Sequence, residues 1–179
     1  MSETRSGHKQ SVSGLAGALI VVLLLIAAIW VLSLSHGRPS VQQAQPIDYS
    51  AELTEARNQA PFEVLAPTDM PSGWDATSAD WRGAGPEVSW HLGVSTDDSE
   101  YVGLEQGNQP AAQFIAERTP ADQPAEPVVI TDKTWTALTS SDGDEHAFVL
   151  VGEGVTTVVT GTAPVSELIV FAESLSPAG

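Results

Sequence analysis

The chain has 179 residues, with 23 Asp and Glu against 7 Lys and Arg, a formal net charge of −16 and no cysteine. Disulfides, thiol nucleophiles and cysteine-linked lipids are excluded, and so much negative charge repels a phosphate backbone, so no nucleic-acid partner is expected. The length suits one domain with its own core once any targeting segment is set aside.

Residues Leu15 to Leu34 read LAGALIVVLLLIAAIWVLSL, with no charge and no proline. As a helix, at about 1.5 Å per residue, this run is about 30 Å long, the thickness of a bilayer's hydrocarbon core. It is longer than the roughly 7–15 apolar residues of a secretory signal. Its exit, Ile29-Trp30-Val31-Leu32, is also bulky, which favours an uncleaved anchor over a cleaved signal. Residues 1–14 carry Arg5 and Lys9 against Glu3, whereas the chain from 35 onward holds 22 of the 23 acids. Positive flanks stay in the cytoplasm. The expected order is a cytoplasmic tail (1–14), a single transmembrane helix in the lipid bilayer (15–34), a Pro- and Gln-rich linker (35–48) and an extracytoplasmic domain (49–177).

Ser50 is placed to cap a short helix with Tyr49, Leu53, Ala56 and Ala60 on one face, ended by Pro61. Phe62 to Ala66 reads as extended. Trp74–Arg82, Val88–Ser95 and Tyr101–Gln106 read as strands, followed by a helix with Pro110 in its first turn and Ala111, Phe114 and Ile115 as its apolar face. The connector Pro120–Pro127 (PADQPAEP) is polar and proline-rich. Thr134–Thr139, His146–Val151 and Val155–Thr160 then read as strands. A second helix follows, with Pro164 in its first turn and Val165, Leu168, Ile169, Ala172 and Leu175 on one face. With one offset of 54, Gly107 falls on Gly161, Pro110 on Pro164, Phe114 on Leu168 and Ile115 on Ile169. The expected fold is α+β: an antiparallel sheet with covering helices, behind the membrane helix, with a duplicated β-β-β-α unit.

Chemistry is sparsely marked. There is no G-x-S-x-G elbow and no H-E-x-x-H pair. His91 sits mid-strand and is expected to face solvent opposite Trp90; His146 follows a loop. Asp142, Asp144 and His146 are spaced like the start of a calcium loop but lack its glycine and terminal Glu, so turn chemistry is the expectation there. The acidic turns Asp97-Asp98-Ser99-Glu100 and Asp142–Glu145 are expected at opposite ends of the sheet. No catalytic residue, cofactor or metal ligand is assigned, and no enzyme is expected. Trp81, Trp90 and Trp135 read as core, and Trp74, after a Pro-Ser-Gly turn, is the one candidate ligand contact.

Val64-Leu65-Ala66-Pro67, Pro71-Ser72-Gly73-Trp74, Tyr101-Val102-Gly103-Leu104-Glu105-Gln106, Trp135 and Thr157-Val158-Val159-Thr160-Gly161 resemble the actinobacterial family known as domain of unknown function 4245. The resemblance runs from the anchor onward and implies a single-pass envelope protein of high-GC Gram-positive bacteria, with no activity or site residue to carry over. The function expected is therefore a non-enzymatic module held at the cell membrane that meets an unknown protein or envelope partner. The alternatives are a glycan- or lipid-binding domain using surface tryptophans and a hydrolase built on carboxylates.

Overall fold

Alternating apolar positions from Asp75 onward build a seven-stranded antiparallel sheet, seen in a computed structural model that describes residues 45–177. The expected tail, the span Leu15–Leu34 and the linker as far as residue 44 lie outside the described residues. Among the described residues, no helix is long and apolar enough to cross a membrane. In chain order the elements are α1 (Ser50–Gln59), β1 (Ala66–Pro67), β2 (Asp75–Arg82), β3 (Ser89–Ser95), β4 (Tyr101–Gly107), α2 (Ala111–Arg118), β5 (Gln123–Ile130), β6 (Lys133–Thr139), β7 (His146–Val151), β8 (Thr156–Gly161), α3 (Val165–Ser174) and β9 (Leu175–Ser176). The α+β expectation, antiparallel sheet and covering helices included, matches this architecture.

The large sheet runs β2-β3-β4-β8-β7-β6-β5, and β1 pairs separately with β9. β4 and β8 form its centre, with Leu104 opposite Val159 and Glu105 opposite Val158. Val158 and Val159 are consecutive and both fully buried because the two faces of the sheet are covered here. The inner face carries Trp90, Leu92, Leu104, Phe148 and Val159 under Ala56 of α1 and Leu168, Phe171 and Ala172 of α3. The outer face carries Ala147, Val149 and Val158 under Phe114 of α2. The strand order thus mirrors itself about the β4/β8 seam, as a duplicated unit requires. Yet α2 and α3 lie on opposite faces, and the twofold axis that exchanges two antiparallel strands keeps each face on its own side. The offset of 54 therefore describes two similar strand-to-helix turns, not a rotational repeat of the whole unit.

Two local expectations are corrected. Ser50 does not cap α1: the Ser50 N–H donates to Asp48 Oδ1 at 3.0 Å, and the Ser50 carbonyl accepts from Thr54 Oγ1. The Ile47 N–H, just before the helix, donates to the Ala76 carbonyl on β2. The proline-rich connector forms most of β5, whose prolines are tolerated because it is an edge strand with an irregularity between Ala125 and Val128.

The segment before β1 is fastened by side chains instead of a ladder. Gln106 Oε1 accepts the Leu65 N–H at 2.7 Å, and the Trp90 indole N–H donates to the Leu65 carbonyl at 3.0 Å. Gln106 also donates to the Glu63 carbonyl and to Thr157 Oγ1. One glutamine, 1% exposed, thereby holds an extended segment across the inner face.

At the β5–β6 hairpin Ile130 pairs with Lys133 across Thr131 and Asp132, both at positive φ (47° and 64°). A β-branched residue is costly in that conformation, which asparagine and glycine adopt readily. The double substitution Thr131→Asn with Asp132→Gly is expected to raise stability by about 1 kcal/mol. Denaturant melts check this: a midpoint shifted upward at constant slope is the expected result, and a lowered midpoint contradicts it.

Candidate functional site

The apolar contacts of α2 on the outer face are mainly with β7 and β8, and the outer face of β2, β3 and β4 carries a polar row instead of a core. The row begins at an irregularity in β2. Ala76 pairs with Val94 on the inner face, and the register then slips, so that Ser78 pairs with Gly93 and Ala79 with Leu92. Strict alternation would send Ser78 inward with Ala76; the extra residue, Thr77, turns Ser78 outward instead. Gly93 opposite leaves the space that Ser78 Oγ occupies, since a Cβ there would collide with that oxygen.

His91 and Glu105 face each other directly across β3 and β4. His91 Nδ1 lies 2.6 Å from Glu105 Oε1, and His91 Nε2 lies 2.9 Å from Ser78 Oγ. Glu105 only accepts when ionised, so the proton between it and His91 belongs on Nδ1. In the neutral ring Nε2 is then the acceptor, and Ser78 donates to it. Glu105 Oε2 is held by Arg118 Nη1 at 3.5 Å, an ion pair supplied by the last turn of α2. The Arg118 guanidinium also sits 5.1 Å from the centre of the Phe114 ring, and its Nη2 reaches Ser89 Oγ at 3.5 Å. The Glu105 side chain is 8% exposed and that of His91 23%, so the carboxylate is enclosed while the imidazole is open to approach.

Tyr101 completes the row. Its ring lies over Gly93 and Gly103: a Cβ at Gly103 would meet ring carbons at 3.2 Å, and one at Gly93 would meet the Tyr101 hydroxyl at 3.3 Å. Desolvation against the sheet, and then the nearby Glu105 and Glu145 carboxylates, push its phenol up to about 12. The protonated form is thus favoured by the fold. Its contribution to stability is intact below the ordinary phenol value of about 10 and is lost as pH rises through about 12. The chain has two tyrosines. Ultraviolet titration is expected to show a phenol ionising near pH 12 that Tyr101→Phe removes; its persistence in the variant would assign it elsewhere.

The other expected positions fall as follows. Trp74 is 9% exposed, its ring stacked on Phe171 with centroids 6.3 Å apart, so it packs α3 against the inner face. Trp90 and Trp135 are buried, and Trp81 is partly so. His91 does point away from Trp90, as alternation predicts, and His146 stands at the start of β7. The acidic turns are not at opposite ends of the sheet. Pairing β4 antiparallel to β8 sets Glu100 beside Thr162 Oγ1, at 2.6 Å, while Thr160 Oγ1 reaches Glu145 at 3.2 Å. Desolvation, and then Asp97, Asp98 and Glu100, raise the Glu167 carboxyl at this same end. Asp142 accepts from Ser140 Oγ and the Asp144 N–H, which is turn chemistry. Among the described residues, no group of three or more His, Asp or Glu could hold a metal ion. Ser78, Tyr101, Glu105 and Arg118 are the members of the polar row that sequence reasoning passes over.

Residues 8–175 match the family described as "Protein of unknown function (DUF4245)". No curated protein matches the chain. Among solved structures, it is similar to MucB in complex with MucA(peri), at 14% identity and a TM-score of 0.38 over 64% of this chain and 36% of that one. It is also similar to the MucA/MucB complex of Pseudomonas aeruginosa, at 14% identity and 0.37 over 64% and 35%. The chain spans just over a third of those structures, and at these scores no residue role transfers.

Proposed function

The chain belongs to the family described as protein of unknown function (DUF4245), and from its own residues we propose a membrane-tethered, extracytoplasmic interaction module. In this reading Leu15–Leu34 crosses the cell membrane once, residues 1–14 stay in the cytoplasm, and the acidic domain meets a protein or envelope component outside. The length of the apolar run and the opposite charge of its two flanks support the placement.

The observation that carries the interaction reading is the half-covered sheet. Helices close the inner face, but on the outer face the apolar side of α2 packs mainly on β7 and β8, leaving Ser78, Asp80, His91 and Tyr101 presented on rigid strands. Strands hold such groups more firmly than loops do, which favours a defined binding surface. Asp80 also pairs with Arg82 beyond the row, which keeps this edge charged and guards it against strand addition.

The test is site-specific photocrosslinking in intact cells. A photoreactive residue at position 80, on the outer face, is expected to give a discrete adduct that the same probe at Glu52 on α1 does not give. Equal crosslinking at both positions, or none at position 80 in a domain that is present and folded, would sink the reading. Protease added to intact spheroplasts is expected to degrade the domain while sparing residues 1–14; a protected domain would overturn the orientation.

A further inference from the structure

The geometry points to Ser78 as an activated nucleophile that takes an acyl group from a neutral ester, with His91 as its base, Glu105 positioning that base and the Tyr101 hydroxyl as oxyanion donor. This goes beyond the docking reading and against the expectation of no enzyme; it needs no partner to be tested.

Three neighbouring strands supply the chain of bonds. Ser78 Oγ on β2 is 2.9 Å from His91 Nε2 on β3, and His91 Nδ1 is 2.6 Å from Glu105 Oε1 on β4. A serine is a poor nucleophile until a base removes its proton, and an imidazole does so only with the acceptor nitrogen facing the hydroxyl. Glu105 fixes that tautomer because its enclosed carboxylate accepts from Nδ1. Arg118 and the β3–β4 pairing hold the carboxylate in place in turn. This order of contacts is specific: a merely polar sheet face does not require the histidine to use both nitrogens in series.

A reacting carbonyl also needs a donor where negative charge develops. A Cβ at Gly93 would collide with Ser78 Oγ and also meet the Tyr101 hydroxyl at 3.3 Å, so the two oxygens converge over the same glycine. That hydroxyl keeps its proton to about pH 12, so it donates under all working conditions. The substrate follows from the surroundings. The chain's charge of −16 disfavours phosphate esters and other anions, and the open sheet face suits an ester carried on a larger molecule.

The step balances. Ser78 Oγ bonds to the ester carbonyl carbon as its proton passes to His91 Nε2. The carbon–alkoxide bond then breaks, and the alcohol leaves with that proton. Water, deprotonated by His91, cleaves the acyl-serine to the carboxylic acid and restores the hydroxyl.

The full chain in detergent micelles, treated with a biotinylated fluorophosphonate, is expected to carry one adduct, mapped by mass spectrometry to Ser78. Ser78→Ala should lose it, and His91→Gln should slow labelling about a hundredfold or more. Glu105→Gln should alter the pH dependence of labelling, a readout that a purely structural carboxylate would not move. If far-ultraviolet dichroism shows His91→Gln unfolded, the wild-type pH profile decides: labelling that falls on acidification supports a base at Ser78. A flat profile refutes it. No adduct at Ser78, adducts scattered over several serines, or equal labelling in a folded His91→Gln protein would each overturn the proposal.

Discussion

Phe171→Ala is expected to cost about 3–5 kcal/mol, most of the margin of an ordinary domain. Phe171 is fully buried, and its ring stacks on Trp74 with centroids 6.3 Å apart. It is the side chain through which α3 grips the inner face, alongside Leu168 and Ala172. Truncation removes its apolar contacts and leaves a cavity that the sheet, bonded on both sides, cannot collapse to fill. Chemical denaturation measures the loss, and tryptophan emission should shift to the red as Trp74 becomes hydrated. A cost under about 1 kcal/mol would mean that the site can relax and that α3 is held by other contacts.

Gln106→Leu is the second large effect, at about 2–3 kcal/mol although the replacement is of similar size and more apolar. The glutamine makes three bonds, to the Leu65 N–H, the Glu63 carbonyl and Thr157 Oγ1. Leucine leaves the Leu65 donor without its acceptor and releases one of the two clamps on that segment. Trp90→Phe removes the other, the indole bond to the Leu65 carbonyl. Because both clamps hold one residue, the double variant should cost less than the sum of the single ones. Strict additivity would show that the two bonds act independently and that the segment is not one fastened unit.

Hydrophobic rhythm made most of the sheet legible. β3, β4, β6, β7 and β8 lie within a residue of their expected bounds, and proline before each helix marks where α2 and α3 begin. What failed was long-range or local-polar in origin. Nothing in the residues announces that β4 pairs with β8, so the two acidic turns were expected far apart. PADQPAEP reads as a connector because prolines break ladders, and only an edge position reconciles them with a strand.

The polar row was half legible. Alternation alone turned His91 outward, and Glu105 is the one charged residue of β4, which is a signal in itself because carboxylates are seldom buried without partners. Ser78 needed more. The apolar phase of β2 shifts from Ala76 to Ala79 and Trp81, an odd step that marks the extra residue, yet it is weak beside the strand's overall pattern. Arg118 could not be placed at all, since its contact depends on which face α2 chooses.

The seam at the middle of the sheet also sets the order in which this domain becomes a folded object. As the chain is synthesised, β2, β3 and β4 emerge first and meet as hairpins. The ladder that completes β4 is supplied by β8, and β1 waits for β9 near the far end of the domain. Until β8 arrives, β4 presents a bare edge with Val102 and Leu104 uncovered, an invitation to pair with a neighbouring chain. Contacts so distant in sequence also close slowly, on the milliseconds-to-seconds scale of β-rich domains. A newborn chain therefore spends its most adhesive interval with its first half made and its second half missing, and rapid delivery of β5–β8 is what ends that exposure.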